Sequence, residues 1–393
     1  MTTVRLKKHE EKRVVGGHPW VFSNEIEGVD GDRTPGVAAR LLDHRERFIG
    51  VGTYNPHSLI AFRLFSPRDE DIDSPPFFRE MIGRSIAFRR TLRLGGDAVR
   101  LVHGESDHLP GLVVDRYGDY LSIQLLTAGM ERRKGILVDL LRELLDPAGI
   151  VARNDVSVRS LEGLQQGVEI LAGTIPPLVP VTENGLHFVV DLLQGQKTGA
   201  FLDQKENHLL LREIVAGRRM LDCFSYAGSW GVHGAFYGAE RVTCLDISAR
   251  ALSLVRENAR RNGVEERVET EECDVFDRLR SLRCEGERFE VVVLDPPAFV
   301  KSRKSIGEGV KGYLTINRRG LELLEPGGYL VTCSCSHHVG RETFREVVAE
   351  AARQARRTVR LLKVCGQSPD HPVLLSFPES EYLKCLVLQV MDW

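Results

Sequence analysis

The chain has 393 residues, of which 42% are hydrophobic and 27% charged, and its formal net charge is −2. This length predicts two or three domains with ample core material. No apolar run approaches the roughly 18 residues that span a membrane, and the opening stretch MTTVRLKKHEEKR has no apolar segment of a secretory signal. We therefore expect a cytosolic protein.

The eight cysteines all lie at or beyond Cys223. A disulfide framework of a secreted protein would not leave 222 residues without a cysteine. The sequence therefore predicts reduced thiols.

The first predicted domain covers residues 1–72. Short apolar runs broken by Gly and Pro predict the strands of a small barrel or rolled sheet, and they read AARLLD, RFIGVGTY and LIAFRLF. The polar, Pro-bounded segment SPRDEDIDSPP is typical of a linker.

The second predicted domain covers residues 77–180 and mixes helices with strands. FFREMIGRSIAFRRTLR and MERRKGILVDLLRELL have helical spacing of apolar residues. LPGLVVDRYGDYLSIQLL predicts a hairpin around a Tyr-Gly-Asp turn, and VARNDVSVR and GVEILAG are further strand candidates.

The third predicted domain covers residues 181–393 and alternates strands with helices. The predicted strands are RMLDCF, RVTCLD, RVETEECDV, FEVVVLD, GGYLVTCSC, TVRLLKV and YLKCLVLQV. Such alternation indicates βαβ units and a parallel sheet, and hence the α/β class. Since no helix separates the last two strands, the sheet should end in an antiparallel hairpin.

Acidic residues follow four of these strands. Asp222 precedes a turn that contains Gly228, and Asp246, Asp274 and Asp295 end the next three strands. Ligands of open α/β sheets bind at the carboxyl ends of the strands, so these carboxylates should face one crevice. Any one of them alone would be explained equally well as a helix N-cap.

A basic segment follows the Asp295-Pro-Pro sequence. Residues 299–319 contain six Lys and Arg residues against one Glu, and we expect a basic, Gly-rich loop over 299–313. Such a field attracts phosphates, although a solvated loop explains a charge run about as well.

The stretch GGYLVTCSCSHH, residues 327–338, ends a predicted strand in two cysteines and two histidines. Three interpretations stand at this point: a catalytic nucleophile, a zinc site, or two small core residues. Four ligands within six residues of extended chain cannot surround a zinc ion tetrahedrally, which disfavours the second. Cys333 and Cys335 share one face because side chains alternate along a strand.

Long motifs of the chain resemble a known family. DCFSYAGSWG, CLDIS, CDVF, LDPPAF and the terminal hairpin look like class I S-adenosylmethionine-dependent methyltransferases, which have a Rossmann-like seven-stranded domain. GQKTGAFLDQKENH, LDPPAFVKSRKS and VTCSCSHH resemble the RlmI-like family of large-subunit ribosomal RNA cytosine-C5 methyltransferases. KKHEEKRVVGGHPWVFSNEI resembles the PUA-type RNA-binding domain of those proteins, and NDVSVRSLEGL resembles their middle domain.

The resemblance implies S-adenosylmethionine as cofactor and ribosomal RNA, of the 23S type, as substrate. It places Asp246 at the ribose, Asp274 at the adenine end, and Asp295 between cofactor and target base. Ala200 departs from the usual second aromatic of the family. The full implied cofactor set is Lys197, Thr198, Phe201, Asp203, Phe224, Ser225, Tyr226, Gly228, Asp246, Asp274 and Asp295.

Methylation of cytosine C5 needs a thiolate at C6, because C5 is otherwise a weak nucleophile. One layout of such enzymes puts the cysteine in a Pro-Cys pair after the fourth strand, and Ala298 at the matching position excludes it here. The other puts the cysteine seven residues after a Gly-Gly pair, which is Cys335. We therefore expect Cys335 and Asp295 to be catalytic and Cys333 to be a core residue, with the base that removes the C5 proton unassigned.

The predicted RNA contacts fall in two places. Lys7, Lys8, Lys12 and Arg13 would dock the N-terminal domain, and Lys301, Arg303 and Lys304 would contact phosphates near an extruded base. Two other functions stay open: methylation of a purine nitrogen without a thiol, and a non-catalytic RNA-binding assembly factor. The sequence also leaves open whether the protein is a monomer or a homodimer.

Overall fold

The first 66 residues form a six-stranded sheet in the computed structural model, which describes residues 1–300 and 302–391. Buried and partly exposed residues alternate along its first strand, Thr2–Leu6, whose buried residues contribute to a small core. The spatial order is β2-β6-β5-β4-β1-β3. The elements are β1 (Thr2–Leu6), α1 (Glu11–Val15), β2 (Trp20–Val21), β3 (Ile26–Asp30), β4 (Val37–Leu42), β5 (Phe48–Tyr54) and β6 (Phe62–Ser66).

A five-stranded sheet follows, in the spatial order β11-β10-β9-β8-β7. The predicted hairpin is confirmed, with Gly118 at a φ of 58° in its turn. The elements are α2 (Pro75–Leu92), β7 (Ala98–His103), β8 (Leu112–Tyr117), β9 (Tyr120–Leu125), α3 (Ala128–Arg132), α4 (Lys134–Leu145), β10 (Gly149–Arg153) and β11 (Val168–Gly173).

The strand expected over VARNDVSVR is shorter than predicted. β10 ends at Arg153, and a 3₁₀ turn occupies Ser157–Glu162. The side chain of Asn154 accepts the backbone N–H of Leu125 at 2.8 Å, so a side chain replaces the ladder bond at this point.

The remaining chain builds a two-stranded sheet and a seven-stranded α/β sheet. The strands are β12 (Val179–Glu183), β13 (Leu186–Val190), β14 (Arg219–Cys223), β15 (Arg241–Asp246), β16 (Val268–Glu272), β17 (Phe289–Leu294), β18 (Leu324–Ser334), β19 (Val359–Cys365) and β20 (Lys384–Val390). The helices are α5 (Lys205–His208), α6 (Ser229–Phe236), α7 (Ala249–Arg261), α8 (Val275–Glu285), α9 (Ile306–Leu323) and α10 (Arg341–Gln354).

The large sheet has the order β16-β15-β14-β17-β18-β20-β19. Its strands are parallel except β20, which is antiparallel to both β18 and β19, so the predicted terminal hairpin is confirmed. The chain runs outward from β14 to one edge and then returns to β17 on its other side. This reversal places the carboxyl ends of β14, β15, β17 and β18 around one crevice.

The basic loop predicted over 299–313 is wrong in its second half, because α9 begins at Ile306. One of the glycines that suggested a loop, Gly309, is needed for close packing. A Cβ on Gly309 would lie 2.2 Å from Cγ2 of Val300 and 3.0 Å from the backbone of Phe299. The backbone of α9 at Gly309 therefore packs directly against the segment that follows the Asp-Pro-Pro sequence.

The chain packs into two units, neither of which is continuous in sequence. Unit 1 comprises residues 1–182, 190–202 and 369–380, and unit 2 comprises 183–189, 203–368 and 381–393. In unit 1, the Phe377 ring packs 4.6 Å from Trp20 and 5.2 Å from His18. The three predicted domains each contain one of the larger sheets, but their boundaries stay predictions.

Among the described residues, the helices are all too short or too polar to cross a lipid bilayer.

Candidate functional site

The turn after β14 has an unusual backbone. Phe224 and Tyr226 have positive φ angles of 63° and 46°, and Gly228 follows at 81°. A Cβ at position 228 would lie 2.9 Å from Val255, so only glycine fits there. Left-handed conformations at non-glycine residues cost about 1–3 kcal/mol each and cluster at binding sites. The turn between β14 and α6 is therefore a candidate ligand cradle.

Asp246 at the end of β15 supports this turn. Its Oδ2 accepts the backbone N–H of Tyr226 at 2.9 Å, and its Oδ1 accepts that of Ser248 at 2.9 Å. A carboxylate has about four acceptor positions, so these bonds fix its plane and leave room for further donors. Asp246 thus lies at this turn, and its contact with ribose stays a prediction.

Asp274 is the N-cap of α8. Its Oδ1 accepts the backbone N–H of Asp277 at 3.1 Å, and the residue is exposed. The cap explanation that the sequence left open therefore applies to this acid, and its contact with adenine stays a prediction.

Asp222, at the base of the same turn, is completely buried. Its Oδ2 accepts the backbone N–H of Gly231 at 2.9 Å, while its Oδ1 has no partner among the described residues. Burial raises the pKa of this carboxyl well above its usual value, and repulsion from Asp295 and Asp246 adds to the shift. The hydroxyl of Ser225 is likewise buried without a partner in the described part of the chain.

Asp295 follows β17 and is oriented by two side chains that the sequence did not single out. Gln204 Nε2 and Trp230 Nε1 both donate to its Oδ2, each at 3.0 Å. Trp230 is 4% exposed, so its donor is held rigidly. Both bonds fall on one oxygen, which fixes the plane of the carboxyl group.

Cys335 is the first residue after β18 and is half-buried. Its Sγ lies 4.0 Å from the carbonyl oxygen of Pro296, the residue after Asp295. Cys333, two residues earlier, is 0% exposed, as predicted for a core residue, and burial raises the pKa of its thiol. Of the two thiols, only that of Cys335 is accessible beside the Asp-Pro-Pro segment.

Ser336 ties this segment to the end of β18. Its hydroxyl accepts the backbone N–H of Val300 at 3.2 Å and lies 2.9 Å from the hydroxyl of Tyr313 on α9. The ring of Phe299 packs 4.7 Å from that of Tyr313. The backbone on either side of Asp295 and Cys335 is therefore held by one small network.

Asp203 is buried, and its Oδ2 accepts the hydroxyl of Tyr382 at 2.7 Å. Its backbone carbonyl also accepts the N–H of Ser368 at 2.8 Å. These bonds anchor the start of the segment that leads into α5, and a direct contact of Asp203 with cofactor stays a prediction.

Three predicted cofactor residues, Lys197, Thr198 and Phe201, lie in unit 1. The Thr198 hydroxyl donates to Asp115 at 2.6 Å and lies 3.1 Å from the hydroxyl of Tyr117. Lys197 has a φ of 50°, and its Nζ lies 4.3 Å from the Phe201 ring centroid. The buried Thr198 thus anchors this segment to β8, and cofactor contacts of all three residues stay predictions.

Of the predicted RNA-binding residues, Lys7, Lys8, Lys12 and Lys304 are exposed, and Lys7 donates to the backbone oxygen of Asn24 at 2.7 Å. Arg13 is half-buried and donates to both oxygens of Glu25 at 2.8 Å. This ion pair lies within the N-terminal domain, and a contact of Arg13 with RNA stays a prediction. Arg303 begins a 3₁₀ turn, and Lys301 lies outside the described residues.

One group of potential metal ligands converges within the described residues, and it is not the Cys-x-Cys-x-His-His stretch. Glu183 Oε1 lies 2.6 Å from Nδ1 of His208 and 3.9 Å from Nε2 of His233. Tetrahedral zinc ligands at about 2.1 Å from the ion would be about 3.4 Å apart. The shorter distance is that of a hydrogen bond, and the His208 ring packs edge-on at 4.7 Å from Trp230. This group therefore forms a hydrogen-bonded network that packs against Trp230.

Two family models match the chain. Residues 157–376 match the family of S-adenosylmethionine-dependent methyltransferases, and residues 4–67 match a PUA-like domain. The cofactor is therefore S-adenosylmethionine. The residues at the crevice fit it, since Asp246 has acceptor positions left for ribose hydroxyls and the buried polar atoms of Asp222 and Ser225 have no partner among the described residues.

Relatives and solved structures agree with this match. The chain is 38% identical over 391 residues to ribosomal RNA large subunit methyltransferase I of Klebsiella pneumoniae, covering 98% of each chain. It is also 38% identical to the protein of that name from Erwinia tasmaniensis, covering 99% of this chain and 100% of the relative. A Streptococcus mutans protein assigned as an S-adenosylmethionine-dependent methyltransferase superposes with a TM-score of 0.85 at 22% identity, over 99% of this chain and 100% of that chain. The chain belongs to the S-adenosylmethionine-dependent methyltransferases, in the same family as ribosomal RNA large subunit methyltransferase I.

Proposed function

We propose that this protein transfers a methyl group from S-adenosylmethionine to C5 of a cytosine in large-subunit ribosomal RNA, through a covalent adduct between Cys335 and C6. The observation that carries the proposal is the 4.0 Å separation between the Cys335 sulfur and the carbonyl oxygen of Pro296, next to Asp295. The names of the relatives support ribosomal RNA as the substrate. This substrate agrees with the cytosolic location expected from the sequence.

The bound cofactor would supply the methyl group from its sulfonium. The Cys335 thiolate uses one electron pair to form a bond to C6, which makes C5 electron-rich enough to take the methyl group. C5 then loses its proton to a base, the C6–S bond breaks, and its electron pair returns to the Cys335 sulfur. The atoms balance, with one methyl group gained and one proton lost at C5.

Asp295 would hold the base by its N3 edge. Gln204 and Trp230 fix one carboxyl oxygen, so the group is oriented before substrate arrives. Among the described residues, no pair of side-chain N–H groups donates in this way to Asp222 or Asp246 at the neighbouring strand ends. Asp295 is therefore the acid that we assign to the target base.

The base must leave its stack, because C5 and C6 are inaccessible within a helix. We propose that the exposed Lys304 contacts phosphates near the extruded nucleotide and that Lys7, Lys8 and Lys12 contact RNA from the N-terminal domain. Phosphate contacts of this kind position the protein, while the pocket selects the base.

Cys335→Ala tests the covalent route, and Cys333→Ala is its matched control. We expect Cys335→Ala to bind cofactor normally but to lose methyl transfer to ribosomal RNA, whereas Cys333→Ala should retain it. RNA that carries 5-fluorocytidine should form a stable adduct with the unaltered protein and with Cys333→Ala but not with Cys335→Ala, since the fluorine at C5 cannot leave as a proton. Undiminished transfer by Cys335→Ala would refute the nucleophile assignment.

Methylation of a purine nitrogen would need no thiol, and it relies on Phe299 beside the target base. The Phe299 ring instead packs against Phe276 at 5.7 Å and Tyr313 at 4.7 Å, which favours the cytosine reaction. Mass spectrometry of digested RNA distinguishes 5-methylcytidine from a methylated purine. Cofactor binding without methyl incorporation would instead indicate the non-catalytic assembly factor.

A further inference from the structure

Lys384 is a buried lysine at the start of β20. It lies opposite Ser334 in the antiparallel pairing with β18 and is 4% exposed. Its Nζ donates to the backbone oxygens of Ser336 at 2.7 Å and Tyr382 at 2.8 Å. Neither oxygen carries a full negative charge. Within the described residues, no carboxylate lies within salt-bridge distance of this ammonium group.

The ammonium group of Lys384 therefore lies close to the backbone that follows Cys335, since one of its two acceptors is the carbonyl of the next residue. Burial lowers the pKa of Lys384 to about 8, and the charge of Cys335 is the largest opposing influence, followed by that of Glu381. Arg341 on α10 lowers this pKa further. Titratable rings nearby are those of Tyr313, whose pKa the charge of Cys335 helps to raise, and of His337, whose centroid lies 5.3 Å from that of Tyr382.

A buried cation is costly unless an anion compensates for it. Glu381 is partly compensated already, because it pairs with Arg341 at the surface. The thiol of Cys335 is the group left to supply the counter-charge inside. No other lysine of the large sheet is as deeply buried on a β-strand, among the residues that the structure describes.

We propose that Lys384 is a positioning residue that holds Cys335 as a thiolate and so prepares it for attack on the target base. The thiol proton passes to the neutral amine of Lys384, which gives a thiolate and an ammonium group without change of net charge. A free thiol is only a few per cent ionised at neutral pH, whereas a thiol next to a cation ionises readily. The catalytic consequence rests on the proposed function, but the ionisation itself does not.

The same pair would favour the end of the reaction. Once sulfur is bonded to C6 it is a neutral thioether, and the ammonium group of Lys384 has lost its counter-charge. Cleavage of the C6–S bond restores the thiolate and thus the ion pair. Lys384 would then assist product release as well as nucleophile activation.

The thiol ionisation can be measured without RNA or cofactor. The full-length protein is alkylated with iodoacetamide between pH 6 and 9, and peptide mass spectrometry follows Cys335, with the exposed Cys284 as internal reference. We expect the alkylation midpoint of Cys335 at least one pH unit below the ordinary thiol value of about 8.5. A midpoint at or above that value in the unaltered protein would overturn the proposal, and no variant is needed for that result.

Lys384→Met and Lys384→Arg then test the source of the effect. Lys384→Met should raise the alkylation midpoint of Cys335 to the ordinary thiol value or above. Each pH unit by which the midpoint rises lowers the alkylation rate at pH 7 by about tenfold. Lys384→Arg should retain a low midpoint. Equal midpoints in Met and unaltered protein would contradict the proposal. If Lys384→Met does not fold, the Arg variant and the unaltered protein still decide it. Full methyl transfer by Cys335→Ala would refute the proposed function while leaving this measurement valid.

Discussion

Replacing Trp230 with phenylalanine removes one hydrogen-bond donor from the Asp295 carboxyl group and keeps most of the buried ring. The lost bond is 3.0 Å long, and the second bond to the same oxygen, from Gln204, remains. A hydrogen bond to a charged group contributes about 1.5–3 kcal/mol, and each 1.36 kcal/mol is a factor of ten in rate. Since the donor of Gln204 stays on the same oxygen, we expect kcat to fall about tenfold.

The assay is methyl transfer from radiolabelled S-adenosylmethionine to ribosomal RNA at saturating concentrations, together with the Kd of the cofactor. The fall should appear in kcat, because the bond orients Asp295 toward the base. Trp20→Phe is the matched control, since its Nε1 donates to Glu105 at 2.8 Å in unit 1. A kcat of Trp230→Phe within twofold of the unaltered protein, or an equal loss in Trp20→Phe, would refute the reasoning.

Three further predictions concern the turn, the helix and the N-terminal domain. Asp222→Asn should raise the Tm of the cofactor-free protein by a few degrees at pH 8 and by less at pH 5. The reason is that the pKa of Asp222 is raised in the folded state, so its contribution to stability is lost as the pH rises toward that pKa. A Tm difference between variant and unaltered protein that does not change with pH would contradict this. Gly309→Ala should destabilise the protein by about 1–3 kcal/mol through overpacking, whereas Gly307→Ala, whose Cβ meets nothing within 4 Å, should not; urea unfolding measures both. Lys12→Ala should reduce the salt-dependence slope of RNA binding by about one and leave the Tm unchanged; an unchanged slope would remove Lys12 from the proposed interface.

The positions of Asp295 and Cys335 could be predicted because strand ends of a parallel sheet meet at one edge. The start of α9 could not, because Gly309 looks like a loop residue in sequence and serves close packing in the fold. Arg13 was assigned to RNA by its charge, and nothing in the sequence indicated its ion pair with Glu25, while its contact with RNA stays a prediction. The sequence shows that a residue is charged but not which group it will pair with in the fold.

The role of Lys384 could not be predicted from the sequence either. In YLKCLVLQV it reads as a polar residue that begins an apolar strand. Its importance depends on β20 lying between β18 and β19, a pairing between residues about 50 positions apart. Trp230 and Gln204 are similar, since nothing local in the sequence links them to Asp295.

The discontinuous course of the chain has a practical consequence for anyone who would express parts of this protein. A fragment that stops at residue 182 would lack the 369–380 segment, and so would leave the indole of Trp20 without the Phe377 ring that covers it. Newly made protein meets the same situation, because unit 1 is complete only once a segment about 190 residues further along the chain has been made. Until then an aromatic surface is open to chaperones, and truncation should produce aggregation rather than an independent module.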